Sequence, residues 1–347
     1  MACAFLFTIF NALFLLIGFS STVKENKLPL IVSTWGNKDF QAAAQKSLDR
    51  IRISPSHRLL ALVEGLSECE NRQCDTTVGY GGSPDEDGET TLDAMLMDGP
   101  GQKMGAVADL REVKQVAAVA WSVMNHTKHS FIVGNQATEF ALKMGFHKHS
   151  LKTELSIKMH QDWLKAKCQP NFWKNVSPDP RQKCGPYKPL SNTHSAEDRD
   201  RSFSKYSHDT IGMIIIDKNM DVSVGTSTNG ARNKIAGRVG DSALPGAGGY
   251  VDNLVGGASA TGDGDIMMRF LPSFLAVEKM RSGASPQKAA EIAIMRIKEH
   301  YPNFFGAVVC GNIKGEHGAA CNGMPIFQYV AANADEKHVK VYEVKCF

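Results

Sequence analysis

The feature that most constrains this chain is a reversal of texture at His208. From Cys168 to His208 the sequence is rich in Pro, Asn, Lys, Asp and Arg and includes the charged run Ser195–Lys205. With so little apolar periodicity, this stretch reads as a solvated loop or linker. The next residues, Thr210-Ile-Gly-Met-Ile-Ile-Ile-Asp, form an apolar run of strand length. Lys218-Asn219 makes a turn, and Val222-Ser-Val-Gly-Thr-Ser-Thr is a second strand. Together they predict an antiparallel hairpin, although the turn is not an Asn-Gly type. Glycine-rich loops follow from Gly225 to Gly264, and the last third of the chain holds 15 of its 31 glycines. Four glycine-bounded turns stand out: Gly225–Gly230, Gly237–Ser242, Pro245–Gly248 and Ala260–Gly264. Most of them present hydroxyls, a guanidinium or a carboxylate.

The rest of the chain supplies a frame for that junction. Leu28-Pro-Leu-Ile-Val-Ser-Thr reads as a buried strand ending at Trp35. Apolar residues at three-to-four spacing predict helices in Phe40–Arg50 and Glu112–Asn125. Ser130-Phe-Ile-Val-Gly is a short strand, followed by a helix through Leu142. Two more helices are expected around Arg269–Arg281 and Pro286–His300. Gly283 helps stop the first, while Ser285 caps the second with Pro286 in its first turn. Gly306–Cys310, Ile326–Ala331 and Val339–Val344 close the chain as strands. Helices and strands mixed in both halves, with hairpins late, favour an α/β (α+β) sandwich of largely antiparallel sheets over a doubly wound parallel sheet. A length of 347 residues suits one large domain or two ordinary ones. The net charge of +3, from 39 basic and 36 acidic residues, argues against a nucleic-acid binder.

Residues Met1 to Val23 carry no charged side chain, and Ala4 to Phe19 is almost wholly apolar. This reads as a secretory signal peptide over residues 1–22, with small residues near Gly18, Ser20 and Ser21 for cleavage. The alternative, a membrane anchor, would want roughly 20 apolar residues. After signal removal no membrane segment is expected. Cysteine usage fits the secretory route. Cys69 with Cys74, Cys168 with Cys184, and Cys321 with Cys346 lie in short-loop pairs, and the odd one is most simply Cys310. Six cysteines allow about fifteen pairings, so the connectivity stays open. A zinc site would need two close Cys or Cys/His pairs, which are missing, and no metal or other cofactor is expected. Asn125-His-Thr and Asn175-Val-Ser are candidate glycan acceptors, the second made doubtful by Pro178.

A threonine at a loop-to-strand junction is unremarkable by itself. What changes its meaning is the ordered set His208-Asp-Thr-Ile-Gly, Thr226-Ser-Thr-Asn-Gly, Gly237-Arg-Val-Gly-Asp-Ser and Ala260-Thr-Gly. On these motifs the chain, from about Leu28 to Cys346, resembles the glycosylasparaginases of the N-terminal-nucleophile hydrolases. That group includes the plant-type asparaginases, which usually have Gly-Thr and Thr-Ser-Thr-Gly-Gly at the first two motifs. The resemblance implies a four-layer αββα sandwich and self-cleavage between Asp209 and Thr210. An α chain of residues 23–209 and a β chain of residues 210–347 would then form one hydrolase domain, assembled as two α and two β chains.

The chemistry behind this is simple. A neutral hydroxyl is a weak nucleophile and needs a base within reach. Cleavage before Thr210 frees an α-amine beside its own hydroxyl, and such an amine, with an ordinary pKa of ~8, is a serviceable base near neutrality. Arg238 can grip a substrate α-carboxylate through two N–H donors, and Asp241 can accept from an α-ammonium. The bland reading of Arg238 is an ion pair with Asp241. The resemblance further implies that Thr261 and the Gly262 N–H form an oxyanion hole. It also implies that Thr228 orients the nucleophile, and that Trp35 and Gly264 line the substrate site. Thr77 is a weaker candidate for a site hydroxyl. No phosphate-binding glycine motif is present, and Asp263-Gly-Asp265 is too short for a calcium loop. Two departures from the family pattern stand out. Ala290 or a neighbour replaces a cysteine expected to pair with Cys310, and Asp263 stands where relatives often carry Asn.

The expected activity is hydrolysis of N4-(β-N-acetylglucosaminyl)-L-asparagine by a secreted or lysosomal enzyme. An L-asparaginase or isoaspartyl dipeptidase would share the aspartyl pocket. A secreted binding protein of the same fold would never be cut.

Overall fold

The computed structural model describes residues 27–191 and 210–347. The signal segment, the run Ser195–Lys205, His208 and Asp209 lie outside the described residues. The elements run β1 (Leu30–Thr34), α1 (Lys38–Ile53), α2 (Arg58–Arg72), β2 (Leu92–Asp98), β3 (Lys103–Leu110), α3 (Val116–His126), β4 (Phe131–Val133), α4 (Gly134–Lys143) and α5 (Glu154–Lys165). A two-residue ladder of β5 (Val176–Ser177) and β6 (Lys188–Pro189) follows. Beyond Thr210 come β7 (Ile211–Ile216), β8 (Val222–Thr228), β9 (Gly249–Asp252), β10 (Gly256–Gly262), α6 (Gly264–Met267), α7 (Pro272–Arg281) and α8 (Pro286–Lys298). The strands β11 (Gly306–Asn312), β12 (His317–Asn322), β13 (Ile326–Ala332) and β14 (Lys340–Lys345) complete the chain.

Eight strands form one sheet in the order β14-β13-β1-β7-β8-β2-β3-β4, and four form a second in the order β12-β11-β10-β9. Every pairing in them is antiparallel except β3 with β4. Three buried clusters correspond to three spaces between four layers. Phe40, Leu48, Leu62, Leu66, Val119 and Val123 pack α1, α2 and α3 on the outer face of the large sheet. Leu30, Val32, Ile214, Ile216 and Val224 meet Val251, Val309 and Ala319 between the sheets. Ala276, Val277, Ile294 and Ile297 of α7 and α8 cover the small sheet's other face. The αββα sandwich is thus borne out.

The hairpin forms as expected, β7 pairing with β8 from Ile211↔Ser227 to Ile216↔Val222. Ser285 caps α8 by accepting from the Lys288 N–H, and Asn37 caps α1 in the same way. The three short-loop cysteine pairs are disulfides, and Cys310, free among the described residues, is buried in the same cluster as Ala290. One expectation is overturned: the stretch to Gly264 read as glycine-rich loops contains β9 and β10, the latter a fully buried strand. Its sequence, GGASATG, lacks the large β-branched residues that mark strands. Smallness is what the place demands. A Cβ on Gly257 would stand 3.0 Å from Ile214 Cγ2, and one on Gly212 2.0 Å from Ser259 Oγ, so the facing sheets meet almost backbone to backbone. No helix among the described residues is long and apolar enough to cross a membrane.

Candidate active site

Thr210 stands at the entry to β7, buried, at one end of the space between the sheets. Its backbone is tied on both sides. The Thr34 hydroxyl of β1 donates to Thr210 O at 2.8 Å while accepting from the Gly212 N–H at 3.0 Å. From the opposite sheet, Thr261 Oγ1 of β10 accepts the Thr210 N–H at 3.0 Å. Trp35 also donates to Thr261 Oγ1, from Nε1 at 3.0 Å. It leaves β1 with φ of 60°, a left-handed backbone that bulky residues avoid. The turn sets its indole against Phe305, just before β11 of the small sheet, and Phe327 of β13 in the large sheet. Thr261 Oγ1 therefore accepts two N–H groups, and its own proton has no acceptor among the described residues.

Gly262 follows with φ of 129°, and a Cβ there would lie 2.4 Å from Gly306 Cα and 2.5 Å from Phe305 O. Only glycine fits that backbone. Thr228 ends β8, and the β7–β8 register sets it opposite Thr210. Its hydroxyl donates to Thr77 O at 3.4 Å and accepts from the Gly230 N–H at 3.0 Å. Thr77 is buried beside the Cys69–Cys74 disulfide, and its carbonyl also accepts from the Asn229 N–H.

Arg238, Asp241 and Gly264 converge. A Cβ on Gly264 would be 2.6 Å from Asp241 Oδ1 and 3.3 Å from Arg238 Nη2, so both side chains flank this one glycine. Arg238 is paired with Asp265 rather than Asp241: Nε donates to Oδ2 at 3.1 Å and Nη2 to Oδ2 at 2.7 Å. That grip uses the Nε–Nη2 edge of the guanidinium, and Nη1 lies against Gly230 and Gly240. Asp241 is buried, and its Oδ2 has no hydrogen-bond partner among the described residues. Burial pushes its carboxyl up to about 7, Arg238 opposing and Asp265 and Asp263 adding to the rise. An orphaned acceptor in a polar pocket is costly unless a donor comes to it. Asp263 caps the short α6 by accepting from the Ile266 N–H, and burial raises its pKa too. Lys234 is a fully buried cation nearby, donating to Asn229 O at 3.0 Å and brought down to about 8 by burial.

Two residues escaped the sequence reading. Ser242 Oγ lies 3.0 Å from Thr210 Oγ1, the atom expected to attack. It sits in the Gly237–Ser242 turn, but a serine beside a noticed aspartate carries no signal of its own. Asp265 was weighed only as a calcium ligand. Its sign and its place after a glycine turn could have suggested a partner for Arg238.

A family model described as Asparaginase (Asparaginase_2) matches residues 11–341. The chain belongs to this family. A rat protein named N(4)-(beta-N-acetylglucosaminyl)-L-asparaginase is 50% identical over 313 residues, covering 90% of each chain. A mouse protein of the same name is 50% identical over 316 residues, covering 91% of this chain and 90% of its own. Among members of the family, then, this chain is similar to enzymes named for the glycosylated asparagine linkage.

Proposed function

We propose that this chain is an N4-(β-N-acetylglucosaminyl)-L-asparaginase activated by a cut between Asp209 and Thr210. The observation that carries the reading is Thr261, whose oxygen takes both the Thr210 N–H and the Trp35 indole and leaves its proton to give. Relatives that bear the name at 50% identity support it. In this reading the freed Thr210 amine takes the proton of its own hydroxyl as Oγ1 attacks the side-chain amide carbon of the substrate. The Thr261 hydroxyl and the Gly262 N–H stabilise the oxyanion, a contribution worth two to three orders of magnitude per donor, roughly. The amide C–N bond breaks, its nitrogen takes the proton from the Thr210 ammonium, and the glycosylamine leaves. Water then hydrolyses the β-aspartyl ester, releasing aspartate and restoring the Thr210 hydroxyl.

Selection of a free amino acid follows from the pocket. Arg238, with its Nε–Nη2 edge held by Asp265, offers Nη1 to the α-carboxylate, and the orphaned Asp241 Oδ2 accepts from the α-ammonium. The mature protein in this proposal is a pair of α/β heterodimers, residues 23–209 with 210–347, made in the secretory pathway and acting in lysosomes or outside the cell. Intact-mass analysis and a substrate comparison test it. Two fragments are expected, one beginning at Thr210, with turnover of the glycosylated amide well above free asparagine and β-aspartyl dipeptides. A single uncut chain, or negligible activity on the glycosylated amide, would sink the reading.

A further inference from the structure

We propose that Asn125 carries an N-linked glycan whose first sugar seats in the groove between α3 and α4. The acceptor motif Asn125-His126-Thr127 ends α3, where Asn125 is exposed. A cavity of about 490 Å³ opens beside it, lined by Trp121 and His126 of α3 and by Lys143, Met144 and Phe146 at and beyond the end of α4. That volume falls within the range of small-ligand clefts.

Three observations tie the acceptor nitrogen to this groove. Trp121 and Asn125 are four residues apart, so they share a helix face. The Asn125 Nδ2, the atom that would bear the sugar, lies 3.4 Å from His126 Nε2, itself a wall of the cavity. The His126 ring meets Trp121 edge-on at 5.8 Å, forming an aromatic corner. A pyranose has an apolar face for such a corner, while the Lys143 ammonium and His126 ring nitrogens can serve its hydroxyls and acetamide. The chemistry at the other motif is poorer. Val176 and Ser177 form β5, paired with β6, and Pro178 follows directly. Asn175 is therefore expected to stay bare.

The inference rests on passage through the secretory pathway, to which the three disulfides also point. It is compatible with the proposed activity. The asparagine in the chain has both α-groups in peptide bonds, so Arg238 and Asp241 have nothing to grip and the enzyme's own linkage is not a substrate.

The full chain should be expressed in a secreting eukaryotic cell and peptide-mapped before and after peptide N-glycosidase treatment. The Asn125 peptide is expected to carry sugar and to become the Asp form on treatment. Asn125→Gln should abolish the gel shift and Asn175→Gln should leave it. Native deglycosylation is expected to lower Tm by about 1–3 °C in the wild type and not in Trp121→Ala. If that variant does not fold, Met144→Ser at the half-exposed wall serves the same comparison. A bare Asn125 in protein whose three disulfides have formed overturns the glycan alone. A bare Asn125 with reduced cysteines overturns the secretory route as well. Sugar at Asn125 with equal Tm changes in wild type and variant overturns the seating.

Discussion

Replacing Asp241 with Asn should stabilise the protein and impair it, with pH dependence that separates this cause from others. The carboxyl is buried, its Oδ2 is unpartnered among the described residues, and its pKa is raised from 3.8 to about 7. At 1.36 kcal/mol per pKa unit the ionised group costs the fold about 4 kcal/mol once both states are ionised. The sign is set by the direction of the rise. The unfolded chain releases this proton near pH 4 and the folded chain only near 7. Stability is therefore lost as pH climbs through that window and stays lost above it. An Asn escapes the loss. In a Thr210→Ala background, which keeps both proteins uncut, the Asn variant should melt higher at pH 8. At about 2 °C per kcal/mol the gain is at most ~8 °C. The difference should shrink towards zero by pH 4. In cuttable protein the same change removes the partner of the substrate ammonium, and loss of such a buried charge partner costs 2 kcal/mol or more, so KM should rise by at least ~30-fold. Thermal scans at pH 4, 6 and 8 and initial-rate kinetics make the check. A Tm difference independent of pH, or an unchanged KM, would refute the reasoning.

Asp265→Asn keeps an acceptor for Arg238 but removes its charge. KM should rise roughly 10-fold with kcat nearly unchanged and the cut unaffected, as read by steady-state kinetics and intact mass. Ser242→Ala removes the hydroxyl 3.0 Å from Thr210 Oγ1. It should lower kcat by about 10-fold with little change in KM, and Ser242→Thr should restore part of the loss in single-turnover measurements. Gly262→Ala forces a Cβ to 2.4 Å from Gly306 Cα on a backbone with φ of 129°. Urea unfolding should show a loss above ~3 kcal/mol, and activity should vanish with it.

Much of the fold was legible because it rests on local pattern: periodicity, apolar runs and caps. α1 and α3 carry three-to-four spacing, the β7–β8 hairpin shows as two strand-length runs about a polar turn, α8 shows by its Ser-Pro cap, and each formed within a few residues of its expected place. β10 was hidden because two sheets pack almost in contact there, which removes the large apolar residues that announce a strand. The candidate site divides in the same way. Arg238 and Asp241 were visible as opposite charges at one glycine turn, whereas Thr210 and Thr261 were visible only through the ordered motifs that carry the family resemblance. Ser242 and Asp265 were not, because a hydroxyl or carboxylate gains meaning only from what stands opposite.

The sequence by itself determined which segments are buried, where the polar stretch stops at Thr210, and which charged groups the turns can present. These are properties of local composition. The tertiary structure decided the pairings: Thr261 accepting from both Trp35 and Thr210, Asp265 rather than Asp241 holding Arg238, Ser242 beside the Thr210 hydroxyl. Each joins residues 27 to 226 positions apart in sequence, on different strands, turns or sheets. Such contacts depend on how the two sheets face one another across a space narrowed by glycine, and no local pattern encodes that distance.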